Sequence, residues 1–347
     1  MRGRDDMTAA ATGHERGTVL LTDYAWPDLT IEQESIEGAG FELVAGPAVA
    51  ASAATIEALV RRHEPLGILS NWAPLTAAAV AASARLRIIA RLGVGLDNIA
   101  VDEATHRGIW VTNVPDFCVE EVSDHAIGLL LAWARGIVQF NAETHAGTWR
   151  PATARLQRVG RLTCGLVGYG RIGQRIAQKL APFGNALFAT TARPRPGDGL
   201  VEMLPLDDLL RRSQVVIVTA PLSPRTHHLL NAARLALLPP GAFVINVSRG
   251  GLIDTPALLA ALAAGDIAGA GLDVIEGEPV VSPELAAEPR VILTPHIAFA
   301  SDAAIADLRR RACAEVVRVL RGERPLEARN EPDLGACAAV LRAPFPD

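Results

Sequence analysis

Cysteine is scarce in this chain. Four residues, Cys118, Cys164, Cys313 and Cys337, are spread through 347 positions with no CxxC pair. That spacing excludes a disulfide framework and a cysteine-built zinc site, and it suits a reducing compartment. No metal site is expected, and the expected location is cytoplasmic. A basic surplus is also missing, since the formal net charge is −5. Binding through the phosphates of nucleic acid or an anionic membrane is therefore excluded. Long apolar runs are absent too. The most apolar stretch, Ala126 to Ala134, lies between His125 and Arg135 and is far too short to cross a bilayer. The first sixteen residues mix both signs of charge with no apolar block, so they do not read as a signal peptide. They are expected to be a disordered tail, with Met7 as an alternative start. Neither low-complexity tracts nor internal sequence repeats are found.

Half of the residues are hydrophobic and a fifth are charged, a globular composition long enough for two domains. From Thr18 onward, β-rich runs alternate with helical stretches. The early runs are Thr18–Thr22, Phe41–Val44, Gly67–Ser70, Arg87–Arg91 and Trp110–Thr112, with helical patterns such as Ala54–His63 and Ala73–Ala84 between them. Such alternation implies parallel strands joined by right-handed crossovers. The rhythm breaks at Val119–His145, a long helical region with Glu120, Glu121 and Asp124 in its first turns, where they complement the helix dipole. An Arg-rich stretch, Thr148 to Arg161, follows. A second alternation then runs through Thr163–Val167, Ala186–Thr190, Gln214–Thr219, Phe243–Val247, Gly269–Val274 and Val291–Leu293. It closes on an amphipathic helix, Ser301–Arg321.

The segment Gly168-Tyr-Gly170-Arg171-Ile172-Gly173 follows one of these strands and opens a helix, Arg171–Ala181. Gly168 suits the tight turn, Gly170 lets backbone approach a pyrophosphate, and Gly173 lets helix and strand pack closely. The free N–H groups of the helix start then face an anion. A GxGxxG run alone is weak evidence; between a strand and a helix it points to a dinucleotide. The next strand ends in Thr190-Thr191-Ala192-Arg193-Pro194-Arg195. An NAD site normally places Asp or Glu there for the ribose 2′-OH. Thr191 is neutral, and the next acidic residue is Asp198. A hydroxyl with Arg193, and secondarily Arg195, would accept a 2′-phosphate through charge-assisted hydrogen bonds. NADP(H) is therefore the expected cofactor, with NAD(H) second.

Three polar residues follow three later strands: Arg249 in NVSRGG, Glu278 in LDVIEGEP and His296 in LTPHIA. Ligands of open α/β sheets bind at strand carboxyl ends. Singly these are as readily a loop arginine, a turn glutamate and a capped histidine. Together they supply what carbonyl reduction requires. A cation holds a carboxylate, an acid protonates the carbonyl oxygen, and a second carboxylate orients the imidazole and keeps it protonated near neutral pH. Among the other histidines, His125 is expected to be structural within its helix, His63 and His106 to lie on helix surfaces, and His227 and His228 to face solvent.

These blocks resemble the D-isomer-specific 2-hydroxyacid dehydrogenase family over roughly Gly67 to Arg321, through GYGRIG, NVSRGGLID, AGAGLDV-x3-EP and TPHIA. The resemblance implies a catalytic triplet of Arg249, Glu278 and His296, with Asp273 near the nicotinamide carboxamide. It implies further cofactor contacts at Pro221, Val247, Ser248 and His296. The run RLGVGLDN resembles the family's loop that receives the substrate carboxylate at Val94 and Gly95. Asn71 matches a second substrate-facing loop, beside Trp72. The implied fold is α/β, with two Rossmann-like doubly wound domains of parallel sheets and an active-site cleft between them. The domains would be 17–115, binding substrate and completed by 303–330, and 116–302, binding the dinucleotide, with tails at 1–16 and 331–347.

NVPDFCVEEVSDHA and HIAFASDAA look closest to the branch containing the C-terminal-binding proteins, transcriptional corepressors in animals. That branch carries an acidic residue where Thr191 stands and a Trp where Phe299 stands. TTARPRP instead resembles the glyoxylate and hydroxypyruvate reductases, which favour NADPH. The expected activity is interconversion of a small 2-oxo acid and a D-2-hydroxy acid; the alternative is a dinucleotide-sensing, corepressor-like protein with weak dehydrogenase activity. Family formate enzymes resemble a Gln at the Glu278 position, which argues against formate. A homodimer is expected, because the face Ala126–Trp133 would otherwise expose a large apolar patch.

Overall fold

A computed structural model describes residues 17–49, 51–193 and 196–332. Residues 1–16, residues 333–347 and Arg195 lie outside the described residues. Two compact units divide the chain: one takes it up to Phe117 and again from Ile305, and the other is Cys118–Ala304. Among the described residues no helix is long and apolar enough to cross a membrane.

The first unit is built on β1 (Thr18–Leu21), β2 (Glu42–Ala45), β3 (Gly67–Ser70), β4 (Ile88–Arg91) and β5 (Trp110–Thr112). All pairs are parallel, in the order β2-β1-β3-β4-β5. Successive side chains of a strand point to opposite faces, and both faces here are covered. Val19, Leu21, Leu69 and Ile88 pack under Leu308, Ala312 and Val316 of the helix Asp302–Leu320. Leu20, Ile68 and Ile89 pack against Ile56, Val60 and Val80 on the other side. The expected helix Ala73–Ala84 shrinks to Ala77–Ala81. Thr76 caps it, accepting from the Ala79 N–H at 3.2 Å, while Leu75 N–H is drawn away to the Asn98 carbonyl at 2.7 Å.

One ion pair is buried in this unit. Arg309 donates to both carboxylate oxygens of Glu32 at 2.8 and 2.7 Å, and the Glu32 side chain is 0% exposed. Removing Glu32 leaves the buried Arg309 guanidinium with only the Asp28 carbonyl at 2.8 Å and the Asp28 carboxylate at 3.8 Å; breaking a buried pair costs about 3–5 kcal/mol. Glu32→Ala is expected to destabilise the protein by that amount, read as a lower urea midpoint with an unchanged slope.

The second unit holds β6 (Thr163–Val167), β7 (Ala186–Thr190), β8 (Glu202–Met203), β9 (Val215–Val218), β10 (Ala242–Asn246), β11 (Ile267–Leu272) and β12 (Val291–Leu293). The sheet is parallel throughout, in the order β12-β11-β10-β9-β6-β7-β8. The chain leaves β6 outward through β7 and β8, then returns to β9 on the other side. That reversal opens a crevice at the carboxyl ends of β6 and β9, where doubly wound sheets take their ligands. The strands expected to reach Thr219, Val247 and Val274 end earlier, at Val218, Asn246 and Leu272. The residues beyond them belong to site loops.

The expected helical region Val119–His145 is two helices, Val119–Ala134 and Ile137–His145, parted where the chain turns left-handed at Gly136 (φ 62°). The face assigned to a dimer contact is largely covered inside the unit. Ala126, Ile127, Leu129 and Leu130 are buried, and Trp133 stacks on Phe243 at 4.5 Å. The apolar exposure lies beyond the break instead, at Ile137, Val138 and Trp149.

Candidate active site

The turn after β6 is shaped for a phosphate. Gly168 has φ 104°, a left-handed conformation, and a Cβ there would meet the Ala220 nitrogen at 2.7 Å; only glycine fits. A Cβ at Gly173 would strike the Gly168 carbonyl oxygen at 2.4 Å, so helix and turn touch backbone to backbone. At Gly170 a Cβ would meet nothing within 4 Å. Gly170 also gives the helix Arg171–Leu180 no side-chain cap. Its first N–H groups, with Arg171 and Ile172 in the opening turn, need an acceptor. Open space over an uncapped helix start fits a pyrophosphate.

At the end of β7, the Thr191 hydroxyl donates to the Arg193 carbonyl at 2.7 Å, and Arg193 itself is exposed. The Thr191 proton is thus spent on the turn. Asp198 is brought beside the turn through its bond from the Tyr169 hydroxyl at 2.7 Å. That bond, followed by the Leu200 N–H, holds its carboxyl below the usual range. This contact is invisible in the sequence.

The loops after β9, β10 and β11 are stitched together. In the first, the Pro221 carbonyl accepts from the Thr226 hydroxyl at 2.7 Å. Val247 is buried, and Ser248 donates to the Ala220 carbonyl at 2.6 Å. Asn246, fully buried, accepts from the Ser248 N–H and donates to the Arg249 carbonyl, at 3.1 and 2.9 Å. It fixes the backbone from which half-buried Arg249 projects, a role the sequence reading missed. A Cβ at Gly250 would meet the Ile275 carbonyl carbon at 2.0 Å, so the Arg249 loop lies directly against the segment leading to Glu278.

Among the described residues, His296 is one of three non-glycine residues with positive φ, at 54°. Such backbone persists where its surroundings over-determine it, and it clusters at functional sites. Here Asp273 does the determining. Its carbonyl accepts from the His296 N–H at 2.7 Å. Its buried carboxylate accepts from the Thr294 hydroxyl at 2.6 Å and from the Ile297 and Ala298 N–H groups at 2.9 Å each. The expected carboxamide contact at Asp273 therefore belongs to a residue already holding the histidine turn. His125 joins this network through Thr294 at 2.9 Å and lies 3.6 Å from Asp273, which gives its structural assignment a place next to the site.

The His296 Nδ1 meets the Glu278 carboxylate at 2.9 Å. Burial raises the Glu278 carboxyl, but the bond and charge of His296, the Ile275 N–H and the charge of Arg249 outweigh it. The group sits below its ordinary range. It is anionic at neutral pH and accepts a hydrogen bond from Nδ1–H, which leaves Nε2 as the ring atom that can deliver or take a proton.

His227 and His228 do not both face solvent. His228 is half-buried and bonded to Glu276 at 2.6 Å, because its backbone turns left-handed (φ 48°) and brings the ring inward. Burial pushes the thiols of Cys164 and Cys313 up to about 12, which removes them as nucleophiles.

In the other unit, Asn71 is buried and its amide Nδ2 has no hydrogen-bond partner. A buried unsatisfied donor costs about 1–3 kcal/mol; a ligand carboxylate would satisfy it. Its loop is held by Asp23, whose carboxylate accepts from Trp72 N–H at 2.9 Å and Ala73 N–H at 3.2 Å. Val94 and half-buried Gly95 follow β4 with their neighbourhood braced by Asn113, which donates to the Val94 carbonyl at 2.5 Å.

Comparison with known proteins identifies the family. Residues 127–298 match the family model described as the D-isomer specific 2-hydroxyacid dehydrogenase, NAD binding domain. The glyoxylate reductase of Thermococcus gammatolerans is 39% identical over 251 residues, 70% of this chain and 75% of that one. Among solved structures, an NADPH-dependent glyoxylate/hydroxypyruvate reductase from Sinorhizobium meliloti, in complex with NADP and malonate, superposes with TM-score 0.80 at 34% identity, over 90% of this chain and 96% of that one. The D-lactate dehydrogenase of Aquifex aeolicus, complexed with NAD and lactic acid, does so with TM-score 0.80 at 26% identity, over 91% and 100%. The chain belongs to the D-isomer specific 2-hydroxyacid dehydrogenase family and is an oxidoreductase carrying that family's NAD-binding domain.

Proposed function

We propose that this dehydrogenase reduces a small 2-oxo acid of the glyoxylate or hydroxypyruvate class to the D-2-hydroxy acid, with NADPH preferred over NADH. The observation that carries the catalytic reading is the His296–Glu278 pair at 2.9 Å, with Arg249 close enough for its charge to depress Glu278. Gly168, Gly170, Arg171, Ile172 and Gly173 would hold the pyrophosphate, Arg193 the 2′-phosphate, and Pro221, Val247, Ser248 and Asp273 the nicotinamide end. A reduced nicotinamide bound there supplies hydride to the carbonyl carbon. The protein supplies the rest. Arg249 pairs with the substrate carboxylate through its planar fork of donors. His296, held at Nδ1 by Glu278, gives the proton on Nε2 to the carbonyl oxygen. In the first unit, Asn71, Val94 and Gly95 would offer donors to a substrate carboxylate. Spectrophotometric turnover of NADPH and NADH against a panel of 2-oxo acids tests the reading. Binding of both cofactors without turnover of any acid would make the chain a dinucleotide sensor instead.

The cofactor preference has its own test. A hydrogen bond to a charged group is worth about 1.5–3 kcal/mol, or about ten- to a hundredfold in affinity. Arg193 is exposed, which favours the lower figure. Arg193→Ala is expected to raise the Michaelis constant for NADPH about tenfold and leave that for NADH unchanged. Thr191→Asp is expected to favour NADH. Parallel titrations decide; equal losses with both cofactors would refute the assignment.

The protein is also proposed to be a homodimer. Ile137, Val138 and Trp149 are 56%, 50% and 82% exposed on and beside one short helix, and a second copy would cover them. Light scattering at micromolar concentration is expected to give twice the mass of the 36.6 kDa chain; Val138→Lys is expected to return it to one.

A further inference from the structure

The loop after β9 and the loop after β11 bring together three metal-competent side chains whose function the reaction does not use. The donor atoms of His227, His228 and Glu276 all lie within 4.8 Å of one another. No spacing in the sequence announces them, since Glu276 stands far along the chain from the two histidines. We propose that His227, His228 and Glu276 form a binding site for a borderline divalent cation of the zinc class.

The backbone makes the site. Adjacent side chains of an extended chain point to opposite sides. At His228 the chain takes a left-handed turn, φ 48°, held by the His228 N–H on the Gly251 carbonyl at 2.8 Å. The two imidazoles are stacked, centroids 3.9 Å apart and planes 26° from parallel, so the exposed His227 ring must swing out of the stack for both in-plane lone pairs to meet one ion. Both Nε2 atoms turn to one Glu276 oxygen, at 2.6 Å from His228 and 3.9 Å from His227. A left-handed non-glycine residue costs about 1–2 kcal/mol, and here it buys convergence of three donors.

The surroundings fit a metal. The Nδ1 of His228 lies 3.9 Å from the Asp254 carboxylate, beyond hydrogen-bond reach, so Asp254 adds negative charge beside the site. The other Asp254 oxygen caps the helix Thr255–Ala264, so this carboxylate is anchored. Two imidazoles and one carboxylate suit zinc, copper or nickel rather than magnesium or calcium. Zinc-to-ligand distances are about 2.0–2.2 Å, so His227 must draw inward while the His228 and Glu276 donors, 2.6 Å apart, spread to admit the ion. The His227 side chain is 55% exposed and can move. Three protein ligands leave a fourth position for water. An ion here would tie Glu276, two residues before Glu278, to the loop after β9, and so would raise the stability of the unit by mass action.

The test uses the full-length protein, stripped with chelator and free of added cofactor. Zinc is titrated in competition with a chromophoric zinc indicator, and thermal midpoints are read with and without zinc. The wild type is expected to hold one equivalent with micromolar or tighter affinity and to melt higher with zinc. His227→Gln and Glu276→Gln are each expected to weaken binding about tenfold or more and to abolish the rise. His228→Asn keeps a residue that tolerates left-handed backbone and is expected to behave alike. His227→Gln alters an exposed side chain, so it keeps the test valid should His228→Asn fail to fold. The proposal is overturned if the wild type binds no zinc, if the variants bind as it does, or if the equivalent is lost in His296→Ala instead.

Discussion

Replacing His296 by alanine is expected to lower turnover about a hundredfold or more, the usual scale for a lost general acid, with cofactor affinity almost unchanged. The ring sits on the far side of a turn that Asp273 holds through backbone bonds to residues 296–298. Removing the imidazole therefore leaves the turn standing, and the loss appears in kcat rather than in folding. Glu278→Gln is expected to be milder and to differ in kind, because the amide oxygen still accepts from Nδ1 but carries no negative charge. The acid limb of the pH profile carries the sign. Glu278 is depressed below its ordinary range, so its contribution to holding the imidazole is present above the unfolded carboxyl pKa. It is lost as pH falls through the folded one. The wild type is expected to keep its His296–Glu278 clasp into mildly acidic solution, and wild-type kcat in His296→Ala would refute the assignment.

The second large effect is expected at Arg249. Truncating one partner of a desolvated, hydrogen-bonded charge pair costs about 2–5 kcal/mol. On that scale Arg249→Ala is expected to lose about a hundredfold or more in kcat/KM, through both a higher KM and a lower kcat, since the arginine binds and orients the same carboxylate. Arg249→Lys keeps the charge but not the planar fork, and is expected to recover only part of the loss. The Asn246 side chain, which holds the Arg249 carbonyl and the Ser248 N–H, remains in both variants. Steady-state kinetics on the best acid of the panel reads the outcome. An Arg249→Ala enzyme with unchanged KM would show that the carboxylate is held elsewhere.

Much of this site was legible in the sequence because its groups follow strands. A glycine turn between strand and helix, and Arg249, Glu278 and His296 each placed after an apolar run, are patterns of position along the chain. The strand carboxyl ends of a parallel sheet bring such positions to one edge. What supports those groups was not legible. Asn246, Asp273, Thr294, His125 and Tyr169 act through bonds to residues far away in the chain or to backbone atoms, which leave no spacing to read. The same holds for His228, whose solvent-facing assignment failed because a single left-handed residue reverses the direction of a side chain.

The covered face Ala126–Trp133 makes the distinction plain. Its apolar run was evident in the sequence, and an apolar run must be buried somewhere. Whether a second copy or the protein's own strands bury it depends on where Phe243 and Gly271 come to lie; here Trp133 stacks on the first and Leu129 packs over the second. By itself the sequence determined the alternation of strands and helices, the phosphate turn and the three catalytic candidates, because local periodicity and strand-end position are properties of the chain alone. Tertiary structure alone decided that Asp273 holds the His296 turn, which face stays exposed, and which histidines meet Glu276. Those are distances between segments remote in sequence, fixed only when the sheet orders its strands.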